Sequence, residues 1–200
     1  MCVSRNNADA NAESFHIIGH SLGAQIAGIA GKLTPHLRRI TSLDAAAPVF
    51  QILPKYLKLA QGDAKFIDTI HTNGQISPSK GFGLLEPYGG KDFYPNGGRK
   101  QPGCEDGKVF SDADGRNIIV NAMTEVACHH NRAPKLFLAS INNTQCRFLS
   151  TLCTSYEDFL NGSCYSSPLA EMGLHAKPMD KEGKFYLKTT DQYPYCIPMD

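Results

Sequence analysis

The chain has 200 residues, with 20 basic side chains against 19 acidic ones. That length suffices for one domain with a sizeable core. The balanced charge argues against nucleic acid as a partner and against a polybasic membrane anchor. No apolar run approaches the roughly 20 residues that a membrane-spanning helix needs.

The N-terminal residues Met1-Cys2-Val3-Ser4-Arg5-Asn6-Asn7 contain no apolar signal-peptide core. Seven cysteines and two glycosylation sequons, Asn142-Asn143-Thr144 and Asn161-Gly162-Ser163, nevertheless point to a secreted protein. These signals are reconciled if the natural N-terminal part is absent from this chain. The odd cysteine count agrees with that reading.

Residues 4–13 are polar and read as a helix end or loop. The apolar run Phe15-His16-Ile17-Ile18 then enters the pentapeptide Gly19-His20-Ser21-Leu22-Gly23, followed by small residues to Gly31. This pattern predicts a strand, a sharp turn and a helix over about 22–33 that stops at Pro35. Such a turn strains the backbone at Ser21 and calls for tiny neighbours, which accounts for Gly19 and Gly23. It lifts the Ser21 hydroxyl above the sheet, with the free Leu22 N–H at the helix start available to an oxyanion.

Arg39-Ile40-Thr41-Ser42-Leu43 reads as the next strand, ending at Asp44. Lys65 to His71 reads as a third, ending in Thr72-Asn73-Gly74. Alternating strands and helices predict a parallel α/β sheet, with polar candidates at the C-terminal strand ends where such sheets place their sites. From Gly74 to Cys104 the abundance of Gly and Pro predicts a long ordered loop anchored by Phe82, Phe93 and Tyr94. Residues 134–140 suit a strand or a helix, and 142–180 read as irregular. Lys184 to Thr189 alternates weakly, as an edge strand does. His71, at a strand end, reads as a structural histidine, and His20 as one that packs or hydrogen-bonds locally. Neither has the neighbours that a zinc site requires.

Five motifs in order resemble the pancreatic-lipase family of secreted animal lipases, over about residues 15–190. They are Gly19-His20-Ser21-Leu22-Gly23-Ala24; Ser42-Leu43-Asp44 with Pro48; Asp63 to Thr72; Asp92-Phe93-Tyr94-Pro95-Asn96-Gly97-Gly98; and Cys128-His129-His130-Asn131-Arg132. The resemblance implies an α/β-hydrolase fold and hydrolysis of glycerolipid esters at a lipid–water interface. It matches Ser21 to the nucleophile, Asp44 to the triad acid and His130 to the base. Without it, His129 competes equally with His130. The order Ser, Asp, His is also that of hydrolases of this fold.

Several further expectations follow from the resemblance. Cys104 and Cys128 would close a lid over residues 105–127, and Cys153 would pair with Cys164. Elimination leaves Cys146 for Cys196, with Cys2 over. Within the lid, Ile118, Ile119, Ala122, Met123 and Val126 form an apolar stripe at helical spacing. An ordinary surface helix would show the same stripe. A lid of this length resembles triacylglycerol lipases rather than the short-lidded venom-type phospholipases of the family.

This chain also departs from the family pattern. Ala45 and Ala47 replace a Pro and a Gly, and Gly90 stands where a histidine is usual. Of the two carboxylates that bind calcium in many members, Asp63 is present but Ala60 stands at the other position, so no cofactor is expected. The family's N-terminal half, with its second oxyanion donor, and its C-terminal β-sandwich have no counterpart here. The chain is thus expected to be the C-terminal portion of a catalytic domain, weakly active by itself. The other reading is a non-enzymatic homologue that binds or stores lipid, as the family's yolk proteins do. Those typically lack the serine that this chain keeps.

Overall fold

The computed structural model describes residues 11–75, 81–104, 124–142, 146–178 and 180–198. The expected lid residues Ile118, Ile119 and Met123 lie outside these. Among the described residues seven strands form one sheet: β1 (His16–His20), β2 (Arg39–Leu43), β3 (Phe66–Ile70), β4 (Lys91–Pro95), β5 (Leu149–Leu152), β6 (Leu169–Glu171) and β7 (Gly183–Leu187). Their order is β1-β2-β3-β4-β7-β5-β6. The first five in that order run parallel, whereas β5 is antiparallel to both β7 and β6. With helices on the sheet and disulfides joining its loops, this is an α/β-hydrolase fold.

Period-2 alternation sends successive side chains to opposite faces of the sheet. On one face Ile40 and Ile67 pack with Ala24, Ala27, Leu37 and Leu59. Ala24 and Ala27 belong to α1 (Leu22–Lys32), which follows β1 directly. On the other face Leu43, Phe66, Ile70, Phe93 and Phe185 pack with Leu136 and Phe137. These two residues belong to α2 (Arg132–Asn142). Residues 134–140 are therefore helical, and Pro134 is accommodated because it falls in the first turn, where no intrahelical N–H is required.

Four sequence expectations are corrected. The Gly74–Cys104 stretch is not one long loop, because it contains β4. That strand is only five residues long and includes Lys91 and Asp92, so no apolar run marks it. All five residues are nonetheless buried between β3 and β7. Lys91 is accommodated by donating from Nζ to the Lys181 carbonyl at 2.8 Å and by lying over the Phe185 ring. Residues 142–180 are not irregular throughout: they hold β5, β6 and the short α3 (Tyr156–Leu160), capped by Ser155 accepting from the Asp158 N–H. The strand at 183–187 lies between β4 and β5 rather than at an edge. The sheet is mixed rather than wholly parallel, because β5 and β6 add an antiparallel pair beyond β7.

The disulfides Cys104–Cys128, Cys146–Cys196 and Cys153–Cys164 are all formed.

Candidate active site

Of the polar residues singled out in the sequence, Ser21, Asp44 and His71 lie where β1, β2 and β3 end. Ser21 is the residue between β1 and α1, with φ 56° and ψ −121°. L-residues rarely adopt this backbone conformation, and sharp strand-to-helix turns around nucleophiles impose it. Its own N–H is bonded to the Leu43 carbonyl at 3.0 Å, which ties the turn to the end of β2. Gly19 is required here: a Cβ would come within 2.3 Å of the Gly23 carbonyl oxygen. Gly23 is not, and this corrects the expectation, because a Cβ there meets nothing within 4 Å. The crowding runs from β1 toward the backbone of Gly23, not outward from it. Leu22 opens the helix, so its N–H has no carbonyl one turn earlier to bond.

Asp44 follows β2 with φ 46° and is fully buried. Its Oδ1 accepts from the backbone N–H groups of Thr72 at 2.8 Å and Asn73 at 3.1 Å. Its Oδ2 lies 2.6 Å from His130 Nδ1. An ionised carboxylate only accepts, so Nδ1 carries the proton and Nε2 of a neutral ring presents its lone pair. His130 closes the helical residues 124–130, which Cys128 bonds to Cys104. The structure thus brings His130 to Asp44. His129 faces the other way, its Nδ1 accepting the Gln101 N–H at 2.9 Å.

The His130 ring is held on two further sides. His20, the residue before Ser21, packs against it with ring centroids 4.5 Å apart, and its Nε2 lies 3.3 Å from the His130 carbonyl oxygen. Burial, reinforced by the nearby His130, holds the His20 pKa below its ordinary value, which favours a neutral ring beside the base. Phe82 meets the His130 ring edge-on at 5.5 Å.

Three contributors carry no such signal in the sequence. Thr72 and Asn73 were visible only as a strand end, yet their amides hold the Asp44 carboxylate. Gly83 lies so close to Asp44 that a Cβ would stand 2.3 Å from Oδ1. Its motif, Gly81-Phe82-Gly83, signals only a turn. His71 is fully buried, with Nδ1 2.7 Å from the Leu84 carbonyl oxygen, Nε2 2.9 Å from Asp92 Oδ1, and its ring stacked on Tyr94. It is built into the core, apart from the Asp44–His130 pair.

Asp63, the carboxylate that the resemblance matches to calcium binding, has protein partners. Asp63 Oδ2 accepts from Lys32 Nζ and from the Ala60 N–H, and the Ala60 side chain offers no ligand.

Comparison with known proteins identifies the family. A sequence model of the Lipase family matches residues 2–195. Pancreatic lipase-related protein 2 of Rattus norvegicus is 41% identical over 189 residues, covering 90% of this chain and 40% of the relative. Pancreatic triacylglycerol lipase of Cavia porcellus is 38% identical over 198 residues, 94% of this chain and 42% of the relative. Inactive pancreatic lipase-related protein 1 of Homo sapiens is 39% identical over 183 residues, 87% of this chain and 39% of the relative. The chain therefore spans about two fifths of the length of these curated relatives. A match across nearly all of its residues, together with the turn at Ser21, the sheet order and the disulfides, places the chain in the Lipase family.

Proposed function

We propose that the chain carries the nucleophile, acid and base of a carboxylic-ester hydrolase acting on glycerolipids. Ser21 Oγ attacks the ester carbonyl carbon while His130 Nε2 accepts its proton. Asp44 keeps the imidazole in the required tautomer and stabilises the imidazolium. The Leu22 N–H donates to the oxyanion of the tetrahedral intermediate. The intermediate collapses to an acyl-Ser21 ester as His130 returns the proton to the departing alcohol. A water, activated by the same histidine, then releases the fatty acid and regenerates Ser21.

The observation that carries this reading is the 2.6 Å contact between His130 Nδ1 and Asp44 Oδ2, one residue from the strained Ser21 turn through His20. The length of the Cys104–Cys128 loop favours triacylglycerol over phospholipid. The disulfides, the exposed Asn161 sequon and the family favour a secreted glycoprotein. The 39% identity to an inactive relative supports the second reading, a catalytically silent lipid-binding homologue.

A fluorophosphonate probe, which labels only activated serines, separates the two readings. We expect an adduct on Ser21 by peptide mass spectrometry, lost in Ser21→Ala and strongly slowed in His130→Ala. An unlabelled Ser21 supports the silent homologue, and labelling indifferent to His130 overturns the role of His130 as the base.

A further inference from the structure

At the far end of α1 from Ser21, Lys32 lies against the loop 58–63. Its Nζ donates to the Lys58 carbonyl at 2.8 Å and to Asp63 Oδ2 at 2.5 Å. The same carboxylate oxygen accepts the Ala60 N–H at 2.9 Å, and the Asp63 N–H returns a bond to the Ala60 carbonyl at 3.2 Å. Asp63 is 7% exposed and the Lys32 side chain 24%. The loop is drawn onto the helix along its length. Gln25 accepts the Leu59 N–H at 2.9 Å and donates to the Ala46 carbonyl at 2.9 Å. Gly28 and Gly31 allow the approach: a Cβ at Gly28 would lie 2.6 Å from Leu59 Cα, and one at Gly31 2.2 Å from the Asp63 carbonyl oxygen.

We propose that the Lys32 ammonium is the resident cation of this loop, occupying the place that the family resemblance gives to calcium, and that the fold is independent of calcium. The donor chemistry supports this. Calcium takes six to eight oxygen ligands at about 2.3–2.6 Å. Here one carboxylate remains, the second is replaced by the methyl group of Ala60, and both Asp63 Oδ2 and the Lys58 carbonyl already face an ammonium. A calcium ion sharing those oxygens would lie within about 5 Å of Nζ, where the two positive charges repel. An ammonium has three donors, carries one charge and needs no further anion. It matches one carboxylate and a carbonyl, and its stem is the last residue of the helix it secures. The ammonium thus fastens α1, which begins beside Ser21, to the 58–63 loop as a bound metal would.

The test compares thermal unfolding of the purified chain in EDTA and in millimolar calcium chloride, with bound calcium measured by atomic absorption after gel filtration. We expect superimposable melting curves and no retained calcium. Lys32→Met should lower the midpoint in EDTA by about 5 °C or more, because it leaves a nearly buried carboxylate without its partner. Lys32→Met combined with Ala60→Asp should restore a second carboxylate and acquire a calcium-dependent rise in midpoint. One equivalent of calcium retained by the unaltered chain, or a midpoint that rises with calcium, overturns the proposal. So does a Lys32→Met chain that melts like its parent, or a double variant indifferent to calcium. Should Lys32→Met fail to fold, the unaltered chain decides the question alone.

Discussion

Gly83→Ala tests whether the position of the Asp44 carboxylate governs reactivity at Ser21. The added methyl would stand 2.3 Å from Oδ1, 2.6 Å from Cγ and 2.6 Å from Oδ2 of Asp44. The backbone at Gly83 cannot retreat easily. Its N–H is bonded to the Asn73 carbonyl and its carbonyl to the Gln75 N–H, both at 3.2 Å, and bridges join it to Ala46 and Gly74. Ordinary van der Waals contact therefore requires the carboxylate to move by about 1 Å. That shift cannot preserve the bonds to Thr72, Asn73 and His130 together. Misplacing a catalytic group by about 1 Å costs on the order of 10²-fold in rate. Overpacking costs about 1–3 kcal/mol in stability. The assay is hydrolysis of p-nitrophenyl butyrate, with fluorophosphonate labelling of Ser21 in parallel and urea unfolding to verify that the variant is folded. We expect kcat to fall by about 10²-fold with little change in KM, and Asp44→Asn to fall further, by up to roughly 10⁴-fold. A folded Gly83→Ala protein with undiminished labelling and turnover would falsify the role given to Asp44.

The two glycines around Ser21 should respond oppositely. Gly23→Ala meets open space and should stabilise by up to about 1 kcal/mol through better helix propensity. Gly19→Ala should lower the unfolding midpoint, and equal responses would contradict the packing of the turn. His16 provides a pH dependence. Burial chiefly, then the charges of Arg39 and Arg38, lower its pKa from 6.5 to about 4. Thr41 Oγ1 donates to Asp68, so it accepts from the neutral His16 ring at 2.8 Å. The unfolded state then binds the proton first. The His16 contribution to stability is constant above about pH 6.5 and is lost as pH falls from there to about 4. NMR titration should give a midpoint near 4 for His16, and a value at 6.5 refutes the account. Replacing Ile118, Ile119 and Met123 with Ser, in a form joined to the N-terminal part of a relative, should reduce hydrolysis of emulsified lipid and leave a short soluble ester unaffected. Equal loss on both substrates would indicate a folding role. The chain alone should be a weak esterase of poor solubility. β1 is the edge of the described sheet, and Leu22, Ile26, Ile29 and Leu33 of α1 and its C-cap are exposed. Joining the N-terminal part of a relative should raise both yield and labelling, and lipase-level turnover by the unextended chain would refute this.

The features legible in the sequence are those whose cause is local. The Gly19–Gly23 turn depends on a few backbone dihedrals, so small residues between an apolar run and a helix are enough to reveal it. The strands at 39–43 and 66–70 are apolar enough to show, because both of their faces are buried. Other features depend on residues far apart in sequence, and only the folded chain decides them. His129 and His130 are adjacent and chemically identical, and the direction of the helix ending at 130 determines which one meets Asp44. β4 contains a lysine and an aspartate and becomes a strand because β3 and β7 flank it. Gly83 matters because its loop folds back onto Asp44, and Lys32 because the 58–63 loop folds onto α1. Local dihedral preferences are properties of a residue and its neighbours in the chain. Contacts between distant segments exist only once the sheet has set its strand order, and that order is what determines these assignments.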